Sequence, residues 1–219
     1  MKSIIFIAPP AAGKGTQSDM LTAKYNIPHI STGLLLRNEV VNGGKYSEYI
    51  SEQMHLGNLV NDDIILELLS ERLSHSDCDN GYILDGFPRD IEQAIAYDKI
   101  LKNLNKELGY VIVLDLDKDT ALKRIIGRLT CSNCGIVYND MFDDTKPKHL
   151  GVCNECNSEL TKRDDDTEEI FNNRYQTYLN TTEPLIKYYE AKGVLYRIDS
   201  GINKEYTFSQ IEKIINKGE

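Results

Sequence analysis

The sequence lacks both a long apolar run and an excess of positive charge, and each absence excludes a class of protein. No stretch approaches the roughly 18 consecutive apolar residues that a membrane-spanning helix needs. The 34 acidic residues outnumber the 25 Lys and Arg, which gives a net charge of −9. Because Lys and Arg supply the affinity for a nucleic-acid backbone, this balance argues against a general nucleic-acid binder. The four histidines show no spacing that would pair them with a cysteine nucleophile.

The remaining bulk properties are those of one ordinary globular domain with room for insertions. The 219 residues are 41% hydrophobic and 27% charged, which is enough apolar material to bury a sizeable core. Met1-Lys2-Ser3 and the five apolar residues that follow are too short for a signal peptide, so we interpret them as the entry to a first strand. We therefore expect a cytoplasmic protein with reduced cysteines.

Strand-like and helix-like patterns alternate along the chain. Short β-rich runs occur at residues 4–7, 28–30, 82–84, 111–116 and 194–198. Between them, one helical face follows Asp62 as a plausible cap, and another is formed by Leu122, Ile125, Ile126 and Leu129. This alternation predicts an α/β fold in which a parallel sheet is covered on both faces and binds its ligand at the carboxyl ends of the strands.

The first strand runs into a loop of small residues that opens a helix. Residues 8 to 16 read Ala-Pro-Pro-Ala-Ala-Gly-Lys-Gly-Thr. In such a loop the backbone N–H groups converge on an anion, the helix N-terminus favours negative charge, and Lys14 can reach terminal phosphates. The strict pattern has Gly at the position of Ala8 and Ser or Thr at that of Gly15. A tight turn without a ligand is therefore the alternative for this segment taken alone.

Four of the five cysteines form two Cys-x-x-Cys pairs inside residues 130–166, a segment without a helical pattern. Between the pair Cys131 and Cys134 and the pair Cys153 and Cys156 lie 18 residues, which fits a zinc site made of two knuckles. Because protein would fill all four positions, the metal, zinc or else iron, would be structural. Two disulfides are the alternative, which a reducing compartment disfavours. Cys78 stands apart, and we expect it to be a small, partly buried side chain.

Six arginines lie at the edges of these motifs in an otherwise acidic chain: Arg37, Arg89, Arg124, Arg128, Arg163 and Arg174. Arg124 and Arg128 are four apart on a predicted helix and so share a face. Arg163 and Arg174 are eleven apart and would also share a face if one continuous helix contained both. A single Arg is usually a solvated surface charge. Six at motif edges indicate phosphoryl transfer, which needs positive charge around the migrating group.

Taken together, the motifs resemble those of the long adenylate kinases, which carry a zinc-bearing lid. The resemblance covers essentially the whole chain. The segments that carry the resemblance are Gly13-Lys14-Gly15-Thr16-Gln17, Ser31-Thr32-Gly33, Gly57-x-Leu59-Val60, Leu84-Asp85-Gly86-Phe87-Pro88-Arg89 with Gln93, Gly127-Arg128, the four cysteines and Arg163-x-Asp165-Asp166. The segment from Asp85 to Arg89 followed by Gln93 is highly specific to nucleoside-monophosphate kinases, and the cysteines narrow the family to the long adenylate kinases.

The resemblance implies a fold, a division of the chain and a reaction. The fold would be a P-loop three-layer α/β fold with a central five-stranded parallel sheet, an AMP-binding helical insertion and a small zinc-bearing β lid. The core would comprise residues 1–30, 61–127 and 165–219, the AMP-binding segment residues 31–60, and the lid residues 128–164. A monomer would catalyse MgATP + AMP ⇌ 2 ADP by direct transfer. Its cofactors would be Mg²⁺ and a structural Zn²⁺, with ATP, AMP and ADP as its partners and no nucleic acid or membrane.

The resemblance also implies roles for individual residues. Those expected to bind ATP are Ala11, Ala12, Gly13, Lys14, Gly15, Thr16, Arg124, Arg128, Val137, Tyr138 and Ile202. Those expected to bind AMP are Thr32, Arg37, Asn58, Leu59, Val60, Gly86, Phe87, Pro88, Arg89, Gln93, Arg163 and Arg174. Those expected to act in catalysis are Lys14, Asp85, Arg89, Arg128, Arg163 and Arg174. Gln93 would read the adenine edge, Arg124 would lie against the adenine of ATP, and Asp85 would hold the water shell of the magnesium.

Three positions depart from the family pattern: Ala8 and Ala11 replace Gly, and Leu34 replaces an Asp after Ser-Thr-Gly. A left-handed conformation at either alanine would cost about 1–2 kcal/mol. These departures leave two alternatives, a kinase for another monophosphate such as CMP or UMP and a nucleotide-binding pseudoenzyme with poor turnover. A zinc-ribbon nucleic-acid binder is disfavoured by the net charge of −9 and by the absence of a basic stripe near the cysteines.

Overall fold

The computed structural model of the chain describes residues 2–56, 60–163 and 165–217. Strands in these residues are β1 (Ile4–Ile7), β2 (His29–Ser31), β3 (Ile83–Asp85), β4 (Tyr110–Asp115), β5 (Arg128–Cys131), β6 (Val137–Asn139), β7 (Leu160–Thr161) and β8 (Leu195–Asp199). Five of them form one sheet in the order β2-β3-β1-β4-β8, in which every neighbouring pair is parallel. The predicted central parallel sheet of five strands is confirmed.

Helices cover this sheet and fill the connections between its strands. They are α1 (Lys14–Tyr25), α2 (Thr32–Val41), α3 (Ser47–Leu56), α4 (Asp62–Leu73), α5 (Ile91–Asn103), α6 (Lys118–Ile126), α7 (Glu168–Thr177), α8 (Pro184–Glu190) and α9 (Lys204–Lys217). A short 3-10 turn follows α4 at Ser76–Cys78, and a π-helical turn at Tyr178–Thr182 joins α7 to α8. None of the helices in the described ranges combines the length and the apolarity that crossing a bilayer requires.

The sheet separates two apolar layers, because alternate strand residues point to opposite faces. Ile5 and Ile7 of β1 belong to one buried cluster with residues of α4, α5 and α8. Ile4 and Phe6 belong to the other, with Leu21 of α1 and residues of α9. Strands buried on both faces read as continuous apolar runs, as β1 and β4 do. All five predicted strands lie within about one residue of their observed bounds.

The remaining strands form a separate antiparallel sheet in the order β6-β5-β7. This small sheet has its own buried cluster, made of Leu129, Tyr138 and Leu160 together with Cys131 and Cys153. Its three strands lie within residues 128–164, the range that the resemblance assigns to a lid.

Two predicted helix features are wrong. The cap of α4 is Asn61, whose side chain accepts the backbone N–H of Asp63 at 2.7 Å, and Asp62 is the first residue of the helix. Helix α6 ends at Ile126, so Leu129 and Arg128 lie in strand β5 and do not share a helical face with Arg124. Gly127 caps the end of this helix, and here the chain passes so close to the end of β6 that a Cβ would collide with the Asn139 side chain.

No single helix contains both Arg163 and Arg174, so the condition under which they would share a face is not met. Helix α7 begins at Glu168, and Thr167 caps it by accepting the backbone N–H of Ile170 at 3.3 Å. A strong cap starts the helix at that point and leaves Arg163 in the preceding loop.

Candidate functional site

The carboxyl ends of three neighbouring strands meet at one edge of the parallel sheet. Leu84 of β3 pairs with Ile5 of β1 on one side and with Ile30 of β2 on the other. The loop that begins at Ala8, the turn into α2 and the segment that begins at Asp85 therefore leave the sheet side by side. This is the edge at which an open parallel sheet binds its ligand.

The loop between β1 and α1 brings a lysine and a helix N-terminus together. Gly13 caps α1 with a φ of +92°, a conformation that only glycine adopts without cost. Lys14 folds back over the loop, and its Nζ donates to the carbonyl oxygen of Ala8 at 3.2 Å. Burial lowers the pKa of the Lys14 ammonium, and nearby Asp85 opposes that shift. A cation held beside a helix N-terminus and a row of backbone N–H groups can bind phosphate.

The two alanines of this loop are accommodated differently. Ala8 is 6% exposed and belongs to the same buried apolar cluster as Leu21. Ala11 has a φ of +62°, and its methyl group packs partly buried against the cluster that contains Ile125. The left-handed backbone that glycine would tolerate is therefore needed at Ala11, while Ala8 contributes apolar contact to the core.

Asp85 ends strand β3 among three basic side chains. The Nε2 atom of His29 is 3.5 Å from its Oδ2 atom. Burial alone would raise the pKa of this carboxyl, but His29, Lys14 and Arg89 outweigh burial and lower it. Asp85 therefore stays ionised, and an ionised carboxylate at a strand end is suited to the water shell of Mg²⁺.

Arg89 reaches back across the turn that follows Asp85. Its Nε donates to the carbonyl oxygen of Gly86 at 2.8 Å, and its Nη2 is 3.5 Å from the Oγ1 of Thr32. Gly86 has a φ of +75°, and the Phe87–Pro88 peptide bond is cis. The turn brings together Thr32, Gly86 and Arg89, three residues that the sequence assigns to one site.

Gln93 lies in the first turn of α5 with its amide almost fully buried, since the residue is 7% exposed. Its Oε1 accepts the backbone N–H of Arg89 at 2.9 Å, and its Nε2 donates to the Oδ1 of Asp62 at 2.8 Å. Both hydrogen bonds orient the amide where the first turns of α4 and α5 meet.

The structure describes only some of the other residues expected to bind AMP. The guanidinium of Arg37 covers Gly33, where an added Cβ would lie 3.6 Å from Nη1. Val60 is buried, and Leu34 is 45% exposed in the first turn of α2. Asn58 and Leu59 lie outside the described residues.

Arg124 connects the phosphate loop to the loop that follows β8. Its Nη1 is 3.4 Å from the carbonyl oxygen of Ala11, and its Nη2 donates to the carbonyl of Ser200 at 2.9 Å. Burial lowers the pKa of this guanidinium. Ile202 follows two residues after Ser200 and is 53% exposed. The structure thus brings Arg124 and Ile202, two of the residues expected to bind ATP, to the same end of the loop.

Two of the arginines at the lid are held by carboxylates. Arg128 donates from Nε to the Oδ2 of Asp166 at 2.8 Å and from Nη2 to Oδ1, and this Asp166 side chain is fully buried. Arg174 donates from Nη2 to the Oδ2 of Asp165 at 2.6 Å. Arg163, in the loop before α7, is exposed. These carboxylates therefore orient the guanidinium groups of Arg128 and Arg174.

The four predicted cysteines form one cluster at the tip of the small sheet. Their Sγ atoms all lie within 4.8 Å of one another. Sγ atoms 3.4 Å apart in Cys131 and Cys156, and 3.6 Å apart in Cys134 and Cys153, are too distant for disulfides, so the disulfide alternative is wrong. A tetrahedral zinc with four thiolates would require separations of about 3.8 Å, so the cluster fits such an ion.

The two knuckles close in the same way. In each, the backbone N–H of the residue after the second cysteine donates to the carbonyl of the first cysteine at 3.1 Å. Those residues are Gly135 and Asn157, with φ values of +74° and +57°. Glycine and asparagine are the residues that adopt this conformation most readily, so the sequence encodes both turns.

Val137 and Tyr138, both expected near ATP, face in different directions. Val137 is 51% exposed, whereas Tyr138 is buried in the lid. The Tyr138 hydroxyl accepts the backbone N–H of Asn154 at 2.9 Å and lies 3.5 Å from the Sγ of Cys153. The side chain of Tyr138 therefore supports the cysteine cluster, which leaves its backbone as the part able to face a ligand.

Sequence reasoning missed four residues that orient the predicted site: His29, Asp62, Asp165 and Asp166. Asp165 and Asp166 belong to the segment Arg163-x-Asp165-Asp166, and two carboxylates so close to arginine positions expected in the site could have indicated ion pairs. The partners of His29 and Asp62 lie on other elements, and nothing in the local sequence indicates those contacts.

Replacing each alanine of the phosphate loop by glycine should have opposite effects on stability. Ala11→Gly removes a left-handed strain of about 1–2 kcal/mol, partly offset by the conformational entropy of glycine, so its melting temperature should be equal or higher. Ala8→Gly removes a buried methyl group, so the free energy of unfolding should fall by about 1 kcal/mol. Thermal unfolding of both variants in parallel measures the difference, and a clear loss of stability in Ala11→Gly would contradict it.

Comparison with known proteins agrees with the geometry. A family model described as adenylate kinase matches residues 6–194. The chain is similar to the adenylate kinase of Archaeoglobus fulgidus, with 44% identity over 215 residues that cover 98% of both chains. It is 42% identical to that of Thermodesulfovibrio yellowstonii, covering 98% of this chain and 99% of the relative. It is 39% identical to that of Thermosipho africanus, covering 98% and 100%.

Proposed function

The chain belongs to the adenylate kinase family, and we propose that it performs the family reaction by direct in-line transfer at the carboxyl edge of its parallel sheet. As an adenylate kinase it moves the terminal phosphoryl group of ATP to AMP and forms two ADP. No side chain needs to form a covalent intermediate, because phosphoryl transfer depends on positioning and on neutralising charge.

The observation that supports this proposal best is the meeting of the phosphate loop with the segment after β3. Lys14 folds over the loop, and Asp85 lies beside it. Arg89 lies in the turn that follows Asp85, and Gln93 lies in the first turn of α5. Groups suited to a donor phosphate, a magnesium ion, an acceptor phosphate and a base thus occupy one edge. In-line transfer requires donor and acceptor to be held in this way.

On the donor side, the N–H groups of residues 11–16 would bind the ATP phosphates, and Lys14 would contact the terminal ones. Arg124 would lie against the adenine, near Ile202. The oxygen ligands available to Mg²⁺ are the exposed Thr16 hydroxyl and the ionised Asp85, which fit its preference for hard oxygen donors. When bound, Mg²⁺ would neutralise charge on the transferring phosphates.

On the acceptor side, Arg37 and Arg89 would bind the AMP phosphate and Gln93 would read the base. A guanidinium can hold two phosphate oxygens at once, which a lysine cannot copy. The hydroxyl of Thr32 lies close enough to Arg89 to help orient it. Asn58, Leu59 and Val60 would complete the wall of this site.

The lid would contribute the remaining positive charge. Arg128, Arg163 and Arg174 would contact the phosphates, and Asp166 and Asp165 would keep two of these guanidinium groups in place. The separate antiparallel sheet supports treating residues 128–164 as a lid distinct from the core of residues 1–30, 61–127 and 165–219, with residues 31–60 as the AMP-binding segment. A closed lid would exclude water from the transfer.

We also propose that the four cysteines hold zinc, which would stabilise the lid without taking part in the reaction. The donor set is complete with four thiolates, and structural zinc sites leave no open position. The small cluster of apolar residues in the lid is too limited to form a full core by itself. The protein would work as a cytoplasmic monomer on ATP, AMP and ADP.

The proposed acceptor can be tested by measuring ADP formation from MgATP with AMP, CMP, UMP and GMP in turn. A site that hydrogen-bonds one base edge rejects the others, because unsuited bases leave buried polar groups unpaired. We expect AMP to have the highest kcat/KM. Preference for CMP or UMP would favour a kinase for another monophosphate, and ATP binding without turnover would favour a pseudoenzyme.

Zinc removal should loosen the lid and lower the melting temperature of the whole protein. Metal analysis of protein purified without chelator should find one zinc per chain. Four-cysteine sites supply about 10–16 kcal/mol of apparent binding energy in small modules, so a strong chelator or Cys153→Ser should lower the melting temperature. Cys78→Ser is the matched control, because Cys78 lies outside the cluster, and it should keep its zinc. Zinc-free or iron-containing protein would contradict the proposal.

A further inference from the structure

Asp62 and Gln93 form a hydrogen bond that the proposed reaction does not by itself explain. The two residues are 31 positions apart, on the first turns of α4 and α5, and the Nε2 of Gln93 donates to the Oδ1 of Asp62 at 2.8 Å. Gln93 is buried, whereas Asp62 is exposed at the start of its helix. An exposed carboxylate thus reaches the amide of a buried residue that the proposed function assigns to the base of AMP.

The two partners of Gln93 permit only one orientation of its amide. The backbone N–H of Arg89 can only donate, so Oε1 must face it, at 2.9 Å. An ionised carboxylate can only accept, so Nε2 must face Asp62. Turning the amide over would place an oxygen against the Asp62 carboxylate and an NH₂ group against the Arg89 N–H. Both contacts would then be repulsive.

The fixed amide keeps one acceptor lone pair and one N–H for a ligand. Glutamine has two of each, and its partners in the chain use one of each. The Watson–Crick edge of adenine offers the complementary pair, an exocyclic NH₂ donor beside a ring nitrogen acceptor. The edge of guanine offers the reverse, a carbonyl acceptor beside an N–H donor, so it would match the amide only after the amide turned over.

We propose that Asp62 is a positioning residue that fixes the Gln93 amide in the orientation matching adenine, and so determines discrimination between AMP and GMP. The proposal rests on the proposed role of Gln93 at the base of AMP. Asp62 touches neither substrate nor the migrating group, and it acts through Gln93 alone. Replacing Asp62 should therefore change the affinity for the acceptor base and leave ATP binding and the transfer step unchanged.

The test replaces Asp62 by Asn, which keeps the size of the side chain but can present either an oxygen or an NH₂ group to Gln93. Asp62→Asn should raise the KM for AMP, leave kcat and the KM for ATP near their original values, and increase the kcat/KM for GMP relative to AMP about tenfold, or about 1.4 kcal/mol. GMP should be measured both as an acceptor and as a competitor against AMP. Asp62 is exposed, so the melting temperature should change little.

The matched control is Asp63→Asn, which removes the same charge from the same turn of α4 and should leave the ratio of AMP to GMP unchanged. An unchanged ratio in Asp62→Asn, or an equal change in Asp63→Asn, would overturn the proposal. Gln93→Leu separates this result from a failure of the proposed function. If Gln93→Leu leaves the KM for AMP unchanged, Gln93 does not bind the base at all.

The double variant Asp62→Asn/Gln93→Leu tests whether Asp62 acts through Gln93. Once Gln93 is Leu, replacing Asp62 should have no further effect on the ratio of AMP to GMP. If Asp62→Asn changes the ratio equally in both backgrounds, Asp62 acts by another route and the proposal is wrong.

Discussion

The parallel pairing of β1 with β3 determines where the functional groups of this protein lie. The register joins Ile4 to Ile83 and Ile5 to Leu84, so the phosphate loop and the segment from Asp85 leave the sheet next to each other. Both strands are buried on both faces, and a slip of one residue would move each side chain into the wrong apolar layer. The hydrophobic packing that holds this register therefore also positions Lys14 beside Asp85, 71 residues further along the chain.

Carboxylates orient the basic groups of the site in a chain whose net charge is −9. Asp85 accompanies Lys14, Asp166 holds Arg128, and Asp165 holds Arg174. Buried or half-buried cations need such partners, because an uncompensated charge away from water is costly. Arg128 and Arg174 each keep N–H groups outside their ion pairs. The same principle extends to specificity, where Asp62 would orient the Gln93 amide.

Strands, motifs and the cysteine knuckles could be predicted because their signals are local. Runs of apolar residues indicate the buried strands, and the spacing of Cys131 and Cys134 indicates a knuckle without knowledge of the rest of the fold. Contacts between distant segments could not be predicted, since no spacing links Asp62 to Gln93 or Arg128 to Asp166. Helix ends were misplaced for a related reason. The α6 helix ends where Gly127 meets the β6 turn, and neighbouring Asn61 and Asp62 are equally good candidates for a cap until the fold selects one.

In the proposed function Lys14 is held at the sheet edge to bind phosphate, and burying its ammonium there would lower the stability of the fold. Burial lowers the pKa of its ammonium, which means that folding disfavours the charged form. Thermal unfolding of Lys14→Met with and without MgATP tests this most directly. We expect this variant to have an unchanged or higher melting temperature without ligand and to lose the increase that MgATP gives the unmodified protein. A melting temperature several degrees lower, with the full MgATP-dependent increase retained, would contradict it.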